Sequence, residues 1–164
     1  MRAAILLVLL LGCATGHDRS NARRAAAAHD PSYAAVQGRG AEAMGVNQYT
    51  SSHLFEPLAD GGRIELQRNA DDSAGTAQIL RHMNQIAAQF AAGDFRLPGY
   101  VHAQAVPGTA VMAAKRSSIS YAVESLPRGA AVRVGSDDSA AVQAIHQFLA
   151  FQRHDHHAPA HHDS

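Results

Sequence analysis

Two stretches of alternating apolar and polar residues give the clearest structural signal in this chain. The first is Ile64-Glu65-Leu66-Gln67, and it follows the turn sequence Asp60-Gly61-Gly62. The second is Val132-Arg133-Val134, and it follows the turn sequence Pro127-Arg128-Gly129. Alternation with a period of two is typical of a strand with one buried face, and glycine in these turns favours a hairpin. Each stretch therefore predicts the second strand of a β-hairpin.

A helical pattern follows each predicted hairpin. The first helix is expected over about residues 73–91 and the second over about residues 138–153, and an Asp-Asp-Ser sequence precedes each of them. Aspartate at this point supplies an N-cap oxygen and a negative charge at the positive end of the helix dipole. The apolar stripes comprise Ile79, Met83, Ile86 and Phe90 in the first helix, and Ala141, Ile145, Phe148, Leu149 and Gln152 in the second.

The two units also resemble each other along their whole length. The segment SSHLFEPLADGGRIELQRNADDSAGTAQI is followed 66 residues later by SSISYAVESLPRGAAVRVGSDDSAAVQAI. Such self-similarity favours two copies of one supersecondary unit, although two short units could also have converged. Amphipathic strands and helices bury their apolar faces against each other. The sequence therefore predicts an α+β fold, in which duplicated ββα units form a four-stranded antiparallel sheet with two helices on one face.

The remaining segments suggest the domain boundaries. We expect a signal peptide at residues 1–12, a flexible tether and lead-in at 13–44, a single α+β domain at 45–153 and a histidine-rich disordered tail at 154–164. Residues 93–116 contain several prolines and glycines, so an irregular connection with a short strand around 101–105 is predicted.

The start of the chain resembles a bacterial lipoprotein signal. Arg2 precedes an apolar run that is too short to span a bilayer, and Leu10-Leu11-Gly12-Cys13 resembles a lipobox. This resemblance implies that Cys13 is acylated with fatty acids such as palmitate and anchors the chain to a membrane. Since Ala14 is not the aspartate that retains such proteins in the inner membrane, the periplasmic face of the outer membrane is expected. An ordinary secretory signal with an incidental cysteine is the alternative.

Charge and motifs exclude several classes of function. The chain carries 14 basic and 14 acidic residues, so it lacks the basic balance of nucleic-acid-binding proteins. It also lacks a nucleophile elbow, a phosphate-binding loop, a dinucleotide-binding motif and an HExxH pair. We therefore expect that the protein is not an enzyme. A small hydrolase or lyase that uses His102 or His146 as a base is the remaining enzymatic interpretation.

Histidine is unusually abundant, with 11 residues in 164. Imidazole and thioether groups are ligands for copper, and clustered histidines with carboxylates are a compositional signal for metal binding. Each histidine could instead have a structural role, and the tail could simply be solvated. The candidate ligands for copper or zinc are His53, His82, His102, Met112 and His146 in the domain, and His154, His156, His157, His161 and His162 in the tail. Among these, we expect His82 and His146 to lie on neighbouring helices.

Several segments resemble a family of uncharacterised exported bacterial proteins, some of which carry an aspartate carbamoyltransferase label. The resemblance is carried by QYTSSHLFEPLADGGRIEL, GDF, VHAQAVPGTAVM and AIHQFLAFQ, and it extends over about residues 36–153. The chain lacks the Ser-Thr-Arg-Thr motif of that enzyme and is too short for it, so the sequence does not support the label.

Two functions fit these patterns. The first is a periplasm-facing lipoprotein that binds a transition metal, with copper favoured, in metal homeostasis or resistance, together with a metal-handling protein partner. The second is a non-enzymatic lipoprotein that binds a protein or a small molecule without a specific metal. In both cases the lipid anchor provides the contact with the membrane, and no nucleic acid is involved.

Overall fold

A computed structural model describes residues 30–159. The predicted signal peptide, Cys13, and the tail histidines His161 and His162 lie outside the described residues. Within residues 30–159, no helix is both long enough and apolar enough to cross a membrane.

The sheet contains four antiparallel strands, as the sequence predicts. They are β1 (Ser51–Leu58), β2 (Gly61–Arg68), β3 (Ser120–Leu126) and β4 (Gly129–Gly135), in the order β1-β2-β4-β3. The second strands of the two hairpins therefore pair at the centre, where Ile64 lies opposite Val132. Both side chains are buried, at 6% and 0% exposure. The alternation in the sequence thus identifies the core-facing side of both central strands.

The two predicted helices pack on the same face of the sheet. The first, Ser73–Ala91, and the second, Ser139–Asp155, share one apolar core with Ile64 and Val132. The caps also form as expected, because Asp72 accepts a hydrogen bond from the Gly75 amide and Asp138 accepts two from the amides that follow it. The α+β fold is confirmed, whereas the duplication of the units stays a prediction.

An additional helix corrects the predicted start of the folded part. Helix α1, Pro31–Met44, covers residues that the sequence analysis assigned to a flexible tether and lead-in. Its buried residues Val36, Gly40 and Met44 are spaced by four, which places them on one side of a helix. Gly40 allows the close approach of Gln48, since a Cβ at this position would lie 1.7 Å from the Gln48 Nε2.

The connection between the two units is helical and not extended. In chain order, the helix Ser73–Ala91 is α2, and α3 (Arg96–His102) and α4 (Thr109–Ala114) follow it. The predicted short strand around residues 101–105 is therefore wrong. Arg39 of α1 donates a hydrogen bond to the Val101 carbonyl oxygen at 2.7 Å, and the Tyr100 hydroxyl donates one to Glu42 at 2.6 Å. These contacts fix α3 against α1.

The end of the chain also belongs partly to the domain. The last helix, Ser139–Asp155, is α5, and it extends beyond the predicted end at Arg153. His156 forms its C-cap and contacts β1 residues through its ring. The predicted disordered tail therefore begins too early, because residues 154–156 continue the folded structure.

Candidate functional site

A cavity of about 80 Å³ lies between the sheet and the helices. Residues of α1, β1, β2, α2, α3 and α5, together with Gln48 and His156, form its walls, and most of the lining side chains are apolar or aromatic. Four histidines line it: His53 from β1, His82 from α2, His102 from α3, and His156 after α5. Residues far apart in the sequence thus bring four imidazoles to one cavity.

Strand alternation and ring packing position His53 and His156. His53 lies two residues before Phe55, and the two rings are stacked, with centroids 5.5 Å apart and an interplanar angle of 7°. The His156 ring packs against both, with its centroid 4.7 Å from that of His53 and 5.5 Å from that of Phe55. The Nδ1 atom of His156 is buried, and no hydrogen-bond partner for it occurs in the described part of the chain.

His102 is held by two side chains of α5. Its Nδ1 atom forms a hydrogen bond with the carboxylate of Asp155, and its Nε2 atom lies 2.9 Å from Oε1 of Gln152. The His102 ring is also near that of His156, with centroids 5.0 Å apart. A carboxylate on one imidazole nitrogen is the usual outer partner of a metal-binding histidine. The Nε2 atom of His102 can bind a ligand only after its contact with Gln152 is broken.

Burial keeps three of the four imidazoles neutral. Desolvation, together with the nearby His82 and His102, lowers the pKa of His53 to about 4. Desolvation alone lowers the pKa of His82 to about 4, and this side chain is only 8% exposed. Burial also holds the pKa of His156 well below its ordinary value, and the nearby His53 adds to this effect. Near pH 7 the cavity therefore contains unprotonated imidazoles, the form that binds metals.

The other predicted ligands do not reach this cavity. His146 donates from Nε2 to the Leu58 carbonyl oxygen at 2.9 Å, so it joins α5 to the end of β1. Met112 is buried in the apolar core and does not line the cavity. His154 is exposed, and the ring of His157 packs on Tyr33 with centroids 4.6 Å apart. His82 and His146 therefore do not share this cavity, and His82 lines it with His53, His102 and His156 instead.

The histidines are close together, but they do not form a complete metal site in this conformation. Within residues 30–159, no group of three or more His, Cys, Asp or Glu side chains is arranged to hold a metal ion. A metal in this cavity would thus need donors of another type, or a rotation of the imidazole rings.

Several lining residues were not singled out as functional from the sequence. Met83 lines the cavity, and so do Gln48 and Gln152, whereas Asp155 lies behind His102. The Oε1 atom of Gln48 is buried without a partner among the described residues. One signal could have revealed His156 as part of the domain, because Phe148, Gln152 and His156 continue the spacing of four that marks the buried side of α5.

Comparisons with protein-family models, with curated proteins and with solved structures find no match to this chain. The resemblance to exported bacterial proteins therefore stays a prediction from the sequence.

Proposed function

We propose that this protein is a periplasm-facing lipoprotein that binds copper in its histidine-lined cavity and contributes to copper homeostasis or resistance. One observation carries this proposal: four histidines from separate parts of the chain line one largely apolar cavity. The lowered pKa values of His53 and His82 support it further, since neutral imidazole is the ligand form. The anchor at Cys13 and the outer-membrane location rest on the sequence alone. The role is binding and not catalysis.

The chemistry of the donors favours copper over zinc. Structural zinc sites are almost always tetrahedral, with four nitrogen, sulfur or oxygen ligands from the protein, and catalytic zinc sites have three. The described residues offer no group of three such side chains from His, Cys, Asp and Glu. The two closest imidazoles, those of His53 and His156, can contribute two nitrogen ligands to an ion that accepts fewer ligands or additional soft donors.

A copper titration of the full-length protein tests the proposal. The protein is purified in detergent, stripped with a chelator, and titrated against a competing chelator of known affinity. His53→Ala and His156→Ala should each weaken copper binding at the cavity. The matched control is His146→Gln, because an amide can still donate to the Leu58 carbonyl oxygen and His146 lies outside the cavity.

The tail histidines must be replaced before copper binding at the cavity can be measured alone. Histidines at positions 154, 157, 161 and 162 could bind copper without the cavity, so the titration is repeated with all four changed to asparagine. Cavity binding that survives in this background and is lost in His53→Ala supports the proposal. Copper binding that disappears with the four tail histidines would contradict it.

A small organic ligand is the second candidate, and the largely apolar lining favours it. Apolar walls with a few polar groups are typical of small-molecule sites, although this cavity admits only a small molecule. Buried neutral imidazoles such as that of His156 can accept hydrogen bonds from such a ligand. This occupant would remain after metal chelation, and native mass spectrometry of the purified protein would detect the added mass.

A further inference from the structure

The cavity holds two thioether groups in addition to its imidazoles. Met44 at the end of α1 and Met83 in α2 both line it, and they are 5% and 1% exposed. The lining contains no aspartate, glutamate, lysine or arginine among the described residues. Among the described residues that line the cavity, the sulfur atoms of Met44 and Met83 are therefore the only soft donors beside the histidines.

We propose that the cavity selects the monovalent ion Cu(I), and that Met44, Met83 or both provide a thioether ligand beside the imidazoles of His53 and His156. This inference rests on the proposed copper-binding function and specifies the oxidation state and the ligands of the same site.

Charge is the first argument for a monovalent ion. Burial of an ion in surroundings of low polarity has a Born cost, which rises with the square of the charge, so a monovalent ion costs roughly a quarter as much as a divalent one of equal size. Neutral imidazoles and thioethers do not compensate the charge. Behind the lining residue His102, the carboxylate of Asp155 contacts the Nδ1 atom of that ring and supplies a single negative charge. This negative charge balances a monovalent cation in the cavity, whereas a divalent cation would leave one positive charge unbalanced.

Ligand softness is the second argument. Thioether sulfur selects Cu(I), whereas carboxylate and water suit harder ions. Cu(I) also accepts low coordination numbers, so two imidazoles and one sulfur complete its coordination. This agrees with the absence of any arranged group of three His, Cys, Asp or Glu side chains in the described chain, because thioether donors are not among those four types.

Ion selectivity provides the test of charge. The full-length protein with asparagine at positions 154, 157, 161 and 162 is titrated with Ag(I), with Cu(I) under anaerobic reducing conditions, with Cu(II) and with Zn(II). Ag(I) is a monovalent soft ion that does not undergo redox cycling. We expect Ag(I) and Cu(I) to bind at least about tenfold more tightly than Zn(II). Zn(II) or Cu(II) binding of equal affinity that is lost in His53→Ala would overturn the selectivity while leaving copper binding at the cavity in place.

Methionine variants provide the test of the ligands. Met44→Leu, Met83→Leu and the double variant preserve apolar volume, so they should fold. Loss of an outer hydrogen-bond partner of a metal ligand typically costs about 10–100-fold in affinity, and the double variant should lose more Cu(I) affinity than this. Met112→Leu is the matched control, because Met112 is equally buried but does not line the cavity. Unchanged Cu(I) affinity in the double variant would overturn the thioether assignment.

X-ray absorption spectroscopy of the Cu(I)-loaded protein gives an independent measurement. A sulfur atom bonded to Cu(I) is expected in the wild-type protein and is expected to be lost in the double methionine variant. Coordination by nitrogen alone in the wild-type protein would overturn the ligand assignment. If none of the four ions binds, both this inference and the proposed copper-binding function are wrong.

Discussion

The imidazole ring of His156 packs against that of His53, with ring centroids 4.7 Å apart. His53 lies on an edge strand of the sheet, whereas His156 follows the last helix, so this contact brings the end of the described chain to the sheet. The rings of Phe55 and His102 also lie near that of His156. The contact makes His156 part of a buried group of imidazoles instead of a free tail residue.

The pH dependence of stability follows from the buried histidines. The pKa values of His53 and His82 are lowered from 6.5 to about 4, so the unfolded chain binds more protons than the folded chain between these limits. The free energy of unfolding should therefore rise with pH from about 4 to 6.5, and it should lose on the order of 3 kcal/mol per histidine as pH falls through this window.

Chemical denaturation of the metal-free protein at pH values from 4 to 7.5 measures this effect. His82→Leu removes one of the titrating groups, so its stability should depend less steeply on pH than that of the wild-type protein. A wild-type stability that is constant across this range would contradict the burial of neutral histidines.

Helix α1 can be tested with a glycine substitution. Gly38 lies in α1, and a Cβ at this position would meet nothing within 4 Å. Gly38→Ala should therefore increase the free energy of unfolding by about 0.5–1 kcal/mol, as alanine does in an exposed helix interior. Thermal unfolding measures the change. An unchanged melting temperature would favour the flexible lead-in that the sequence suggested.

A second glycine substitution should have the opposite effect on the free energy of unfolding. Gly108 precedes α4 with a φ of +83°, and a Cβ there would lie 2.1 Å from the Ala144 carbonyl oxygen. Backbone atoms cannot move aside cheaply, so Gly108→Ala should destabilise the fold by about 1–3 kcal/mol or more. A Gly108→Ala variant as stable as the wild-type protein would contradict the close approach of Gly108 to the Ala144 carbonyl oxygen.

The central fold could be predicted because its signals are local. Alternation around Ile64 and Val132, glycine-containing turns, and aspartate caps each report on a few neighbouring residues. Because the alternation, the turns and the caps all indicate the same arrangement, together they favour one fold. The helix α3 has no such signal, since it is short and contains Pro98 and Gly99. Its hydrogen bond from Arg39 comes from a distant part of the chain, and tertiary contacts of this kind are not visible in a single sequence.

The candidate site was only partly predictable for a related reason. The helical stripes correctly placed His82 near the core, and strand alternation correctly placed His53 beside Phe55. Which histidines share a cavity depends on how the elements pack. In the folded protein His146 contacts the Leu58 carbonyl oxygen and lies outside the cavity. His156 was assigned to the tail because the polar composition after Arg153 outweighed the helical spacing that continues to this residue.

The lipid anchor leads to a prediction for Cys13, which lies outside the described residues. Cys13→Ser should prevent acylation, so the protein should leave the detergent phase in phase partitioning, or should remain uncleaved with its signal. Ser20→Ala, in the segment that follows, is a control that should not change partitioning. Detergent-phase partitioning of Cys13→Ser that equals the wild-type value would contradict lipidation and leave an ordinary secretory signal.

Asp155 should position the His102 ring beside the proposed ligand His156, without itself contacting the bound ion. Its carboxylate holds Nδ1 of His102, whose side chain is 1% exposed, so the orientation of the ring depends on this pair. Asp155→Asn preserves the size of the side chain but removes the charge that balances a bound cation. Copper affinity should fall by about tenfold, the lower end of the cost of losing an outer partner in a metal site, because the His102 ring packs against that of the proposed ligand His156. Asp137→Asn is the matched control because Asp137 is exposed and lies at the other end of α5. A loss of thermal stability with unchanged copper affinity in Asp155→Asn would show that the Asp155–His102 pair is structural and does not serve the binding site.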